Sequence, residues 1–257
     1  MNNTRRGNMN IQILWLLIKR INCKLNLGLL LSLLVFVSPA IASYVPPPTQ
    51  EPPSDYTKSA GTRGCSQERI PLTILSPTTY VGHTASKHPT FAWFLYSPHH
   101  TEFRLFEFAP NGVPKKLGKP IIRPVSKGIN TYSLPENQPG LAVGKKYLWQ
   151  VSISCPNGVL VQRAEFIVVQ SSLNTKSNLP KITNNSQQVD FYAKQGLWYE
   201  ALEEALKLVP KGKLGEVGST LVQSLAQSEE QTRQSKEPEL QQRIENLKVI
   251  ANQEMRH

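Results

Sequence analysis

With 257 residues, 39% of them hydrophobic, and a formal charge of +11, the chain suits one compact domain plus an accessory element. The charge overstates its basicity. Arg5, Arg6, Lys19, Arg20 and Lys24 lie in an acid-free leader, and without those five cations the excess falls to +6. That balance, with no nucleic-acid-binding motif beside it, excludes nucleic acid as the expected partner.

Residues 1–42 read as a signal peptide. A basic region precedes the short apolar run Leu27–Val37, and Ala40 and Ala42 stand at −3 and −1 before Ser43, an A-x-A cleavage pattern. The run is shorter than the ~20 residues of a spanning helix. The expected destination is the periplasm or the exterior. An uncleaved N-terminal membrane anchor, helped by "IQILWLLI" at 11–18, is the alternative. Residues 43–64 hold five prolines and no apolar periodicity, so they read as an extended, partly polyproline linker.

From 65 to 170 the chain reads as strands with turn punctuation: 71–77, 90–96, 102–108, 116–122, 131–135, 146–154 and 159–169. Pro110-Asn111-Gly112 closes the third. Asn157-Gly158 suits a type I′ hairpin between the last two. Seven short strands with a Trp on a central one predict a two-sheet antiparallel β-sandwich of immunoglobulin-like or fibronectin-like type. In 147–155, Tyr147, Trp149, Val151, Ile153 and Cys155 share one face by period-2 alternation. Phe91, Trp93, Phe103, Leu105, Tyr147 and Trp149 read as core, with a sugar-lining stripe as the alternative.

After the leader, only Cys65 and Cys155 remain. An oxidising compartment and an even count favour a disulfide between them. Closing a loop of about 90 residues is worth ~4–5 kcal/mol in the chain-entropy model. The alternative is a thiol enzyme, with Cys65 as nucleophile served by His83 or His88.

A polar linker, 171–186, leads to a helical region, 187–257. Its first part, 187–209, reads as one tetratricopeptide-like helix pair, with Gly196 as the helix-ending residue and Ala201, Leu202, Ala205, Leu206 and Val209 on one face. Weaker helices follow: one over 216–228, and a last one from Pro238 with Leu240, Ile244, Leu247 and Ala251 in a stripe.

The pieces "TRGC" (62–65), "PLTILSP" (71–77), "GHTASKHPTFAWFLYSP" (82–98), "EFRLFE" (102–107), "GINTYSLP" (128–135), "LAVGKKYLWQVSISC" (141–155) and "YAKQGLWYEAL" (192–202) run in family order. Together they resemble a cyanobacterial exported family known only as a domain of unknown function. The resemblance implies export, this fold class and a bridge between the two cysteines. It implies no activity.

The chemistry-bearing residues are sparse. His83 and His88, and His99-His100 before Glu102, are the metal candidates, but adjacent strand and turn residues point apart, so no metal is expected. Glu102 and Glu107 fall on opposite strand faces and do not suit paired acid-base work. No hydrolase elbow, zinc helix, P-loop or dinucleotide fingerprint occurs. The expectation is therefore a non-catalytic envelope interaction module without cofactor, docking a protein partner through its C-terminal helices. The alternative is a polyanion- or glycan-binding sandwich, meeting an anionic glycan or lipid headgroup through Lys115, Lys116, Lys119, Arg123 and Lys127.

Overall fold

A computed structural model describes residues 43–58, 68–156, 158–170, 185–232 and 237–254. Among the described residues eight strands form two sheets. One is antiparallel, with the order β1-β3-β6: β1 (Thr73–Ile74), β3 (Thr90–Leu95) and β6 (Gly128–Ser133). The other has the order β2-β8-β7-β4-β5: β2 (Gly82–Thr84), β4 (His99–Phe108), β5 (Pro114–Val125), β7 (Lys146–Cys155) and β8 (Gly158–Val168). Four helices follow: α1 (Asn185–Lys194), α2 (Trp198–Lys207), α3 (Gly215–Glu230) and α4 (Pro238–Glu254). Among the described residues no helix is long and apolar enough to cross a membrane.

The two sheets meet across aromatic rings. Phe91 of β3 lies 5.1 Å from both Phe103 of β4 and Trp149 of β7, centroid to centroid. Phe91, Trp93, Phe103, Leu105, Tyr147 and Trp149 are all buried, at most 7% exposed, which removes the sugar-lining alternative. A ligand cannot stack on rings that already stack on one another.

The helices close the same core. Trp198 and Tyr199, at the start of α2, are buried, and Tyr199 packs on Phe91 and Phe166 from between the sheets. The Tyr199 hydroxyl accepts from Trp149 Nε1 at 3.2 Å and bonds Ser76 Oγ at 2.9 Å. The Trp198 indole donates to the Leu75 carbonyl at 2.9 Å. On α4, Arg243 donates to the carbonyls of Ile74 and Ser76 and to Glu229 of α3. Leu240, Ile244, Leu247, Ile250 and Ala251 are buried beside it. The apolar stripe of α4 is thus covered by the chain's own sheets and helices, the first of the two dockings open to it, on the preceding helices or on another chain.

Three local expectations change. Residues 43–58 do not stand off as a spacer; they form a strap on the domain. Tyr44 is 4% exposed and packs edge-on against Trp198 at 4.9 Å. Val45 N donates to the Ala193 carbonyl, and the Glu51 carbonyl accepts from Val81 N. Gly196 fits this strap twice over. Its φ is +72°, and a Cβ there would lie 3.2 Å from Pro47 N.

The second change is β2, which pairs in parallel with β8, so the sandwich is not wholly antiparallel. Its three residues, Gly-His-Thr, are too few to show a period. The third is the β7–β8 turn. Cys155 pairs with Gly158, so Pro156 takes the first turn position after β7, and Asn157 lies outside the described residues. Proline fixes φ near −65°, which a type I′ turn does not allow there.

Candidate functional site: the outer face of the five-stranded sheet

One face of the five-stranded sheet meets the aromatic core; the register places three rows of side chains on the other. Ile122, Glu102, Ser152 and Val161 form one row across β5, β4, β7 and β8. Arg104, Gln150 and Arg163 form the next, and Lys116, Phe106, Leu148 and Glu165 the third. Around the first two rows the surface dips into a recess of about 540 Å³, lined also by His100, Ser154 and Val159.

The polar groups of this face hold one another. Arg104 Nε pairs with Glu102 two residues before it, as same-face neighbours on a strand do. Arg163 Nε donates to Gln150 Oε1 across the strands at 2.8 Å, and burial pulls the Arg163 guanidinium below its ordinary pKa. Gln150 and Ser152 are under 10% exposed. Ile122 and Val159, at 65% and 48% exposed, supply apolar surface at the rim. The result is a rigid, mostly satisfied surface with apolar edges.

The strap covers the third row's end. Glu165 is buried and accepts from Ser54 N at 3.0 Å, from Thr57 Oγ1 at 2.9 Å and from Ser54 Oγ. Lys146 lies 3.6 Å from the other oxygen and rests over the Phe108 ring. The same device recurs twice. Glu229 accepts from Thr78 N and Oγ1 and from Arg243, and Glu200 accepts from Thr84 Oγ1, Ala85 N and Ser86 N. Each carboxylate fastens a loop by its backbone amide, the arrangement in which a buried charge is tolerated.

The expected site residues fall as follows. Cys65 and Ala42 lie outside the described residues; Ser43 is exposed. Cys155 ends β7, half-buried against the core. Lys115, Lys116 and Lys119 are exposed along β5, and Lys127 just beyond it. Arg123 turns away from them. Its guanidinium sits over the Trp93 and Tyr132 rings and donates to the Thr131 carbonyl. The histidines separate: His99 pairs with Glu68 at 3.0 Å, His88 meets the Gln138 carbonyl, His100 is exposed, and burial lowers the pKa of His83. Among the described residues no three His, Cys, Asp or Glu gather as a metal site.

A family of unknown function, DUF928, matches residues 58–239, most of the chain and all of both sheets. The chain belongs to the DUF928 family. No curated protein matches it. Among solved structures, the solution structure of R. palustris CsgH is similar to 40% of this DUF928 chain and 95% of its own, at 8% identity and a TM-score of 0.20. So loose an overlap carries no argument. Alternation in the sequence puts Gln150 and Ser152 on the second face of their strand, but only the strand register shows that Arg104 and Arg163 stand beside Gln150.

Proposed function

We propose that this DUF928 chain is an exported, non-catalytic interaction module whose outer sheet face receives an envelope protein partner. The observation that carries the reading is the recess itself. Arg104 and Arg163 are already paired, with Glu102 and Gln150, its rim is apolar, and the helices have turned their apolar faces inward. A preformed surface of this kind binds without rearranging its own charges.

The sandwich is of immunoglobulin-like type in this reading. Its order β1-β3-β6 against β2-β8-β7-β4-β5 supports that, as does Tyr147 at the start of β7, whose hydroxyl accepts from the upstream Ala142 N at 2.9 Å. The Cys65–Cys155 bridge belongs to the same proposal and would tie the domain's first segment to β7. Mass spectrometry of non-reduced peptides tests it, and two free thiols in exported protein would revive the thiol-enzyme reading of Cys65. The polyanion-binding alternative draws its support from the β5 lysines.

Photo-crosslinking tests the surface. A crosslinker at Val159, on the recess rim, should give a discrete envelope-protein adduct, and one at exposed Glu245 on α4 should not. Equal adducts from both positions, or one from α4 alone, would move the docking surface to the helices.

A further inference from the structure

The β5 edge, beside the recess, carries a feature of its own. β5 is the last strand of its sheet, so one side of its backbone has no neighbour. Such an edge invites strand addition unless it is spoiled. Here it is spoiled twice. Pro114, Pro120 and Pro124 lack the N–H a new strand would need. A bulge interrupts the strand as well: Phe103 pairs with Ile121 and Leu105 with Leu117, so Arg104 alone opposes Gly118, Lys119 and Pro120, and Gly118 takes φ +73°. A partner can therefore read this edge only through its side chains.

Those side chains are cationic and aliphatic. Lys115, Lys116, Lys119 and Lys127 are exposed, and none of them forms an ion pair among the described residues. The nearby acids are engaged: Glu102 by Arg104, and Glu107 by Lys145 at 3.7 Å. Beside the lysines stand Val113, ahead of Lys115, and Leu117, between Lys116 and Lys119, 44% and 40% exposed. Uncompensated lysines need an anionic partner. Exposed aliphatic side chains add nothing to binding a hydrated anionic polymer, but they suit the headgroup–acyl boundary of a bilayer.

We infer that the β5 edge seats on an anionic lipid bilayer surface, its four lysines among the headgroups and Val113 and Leu117 reaching into the interface. This surface adjoins the partner recess, whose lining includes Lys116 and Ile122 of the same strand. Each lysine near an anionic surface is worth roughly five-fold in partition, so the four together supply a salt-sensitive attraction on the order of 100-fold or more.

Sedimentation of the full chain with vesicles tests this. The probes are phosphatidylcholine:phosphatidylglycerol vesicles and pure phosphatidylcholine vesicles, each at low and high salt. Comparing variants with the unaltered chain cancels any contribution from residues 1–42. The expected result is preferential binding to the anionic vesicles. High salt should weaken it, and the joint change of Lys115, Lys116, Lys119 and Lys127 to Gln should lower it at least roughly 100-fold. Val113→Ser with Leu117→Ser should lower it several-fold. The salt comparison is made on the unaltered chain and the variants alike, because the five cations of residues 1–42 respond to salt as well; single Lys→Gln changes at the four positions keep the test if the joint variant misfolds. Equal binding to both vesicle types, or binding indifferent to salt, overturns the proposal. So does anionic binding untouched by the serine changes and matched on dextran sulfate, which would assign a general polyanion patch. Loss of the Val159 adduct with vesicle binding intact would overturn the recess reading alone.

Discussion

At the scale of single residues, Tyr199 joins the three parts of the core. Its ring fills space between Phe91 and Phe166, and its hydroxyl satisfies both Trp149 Nε1 and Ser76 Oγ, all buried. Tyr199→Phe keeps the ring and leaves both polar partners without one. A buried group so orphaned costs about 1–3 kcal/mol. Urea unfolding should show that loss with an unchanged m-value; a variant as stable as the parent would mean that water takes the hydroxyl's place. Glu200 gives a pH test. Burial pushes its carboxyl above the ordinary 4.5, while the hydrogen bonds from Thr84, Ser86 and Ala85 pull the other way without cancelling the rise. A carboxyl raised on folding adds stability that is fully present below its unfolded value and is lost as pH rises through the folded one. The chain should therefore lose stability relative to Glu200→Gln as pH climbs from about 4.5. Paired denaturation curves at acidic and neutral pH check this, and a difference that is flat or reversed would sink it.

At the scale of elements, the strap shows where pattern reading stops. Residues 43–58 lack periodicity because they form neither helix nor strand over most of their length; their order comes from Tyr44 in its aromatic seat and from backbone bonds to Ala193 and Val81. Such contacts join residues far apart in sequence and leave no local trace. Tyr44→Ala should cost about 2–4 kcal/mol, somewhat less than the roughly 3–5 usual for deleting a large buried ring, because a strap can partly release. Thermal melts would register it, and a change under about 0.5 kcal/mol, the usual scatter of surface substitutions, would return the segment to the status of a spacer. The strands fared better. The alternation from Tyr147 placed the β7 core face correctly, since burial of Trp149, Val151 and Ile153 dictates it. The same alternation puts Leu148, Gln150, Ser152 and Ser154 on the second face, but the polarity of the last three marks them as solvated, whereas Gln150 and Ser152 are buried. Neighbouring strands bring Arg104 and Arg163 beside Gln150, and Glu102 and Val161 beside Ser152. The helices were legible from Gly196, Pro238 and their apolar stripes, but no sequence pattern says which surface a stripe will cover.

At the scale of the whole molecule, sheets and helices cannot be separated without opening the core. The buried apolar residues form one continuous cluster from Tyr44 through Phe91 and Trp149 to Trp198, Leu225 and Leu247. Removing the helices would take Tyr199 from between the sheets and the Arg243 and Trp198 donors from the carbonyls of Ile74, Ser76 and Leu75. Removing the sheets would leave helices of 10 to 17 residues, which are marginal alone in water. Both halves should therefore unfold together. Far-ultraviolet circular dichroism follows the helices and tryptophan fluorescence the core, and the two should trace one coincident transition. Trp198→Ala should move both midpoints equally and downward, by the roughly 3–5 kcal/mol of a deleted buried Trp. A helical signal that persists after fluorescence has changed would divide the chain into independent units. It would also return the apolar faces of α2 and α4 to the role of a docking surface, because helices that hold their structure without the sheets would be free to offer those faces to another protein.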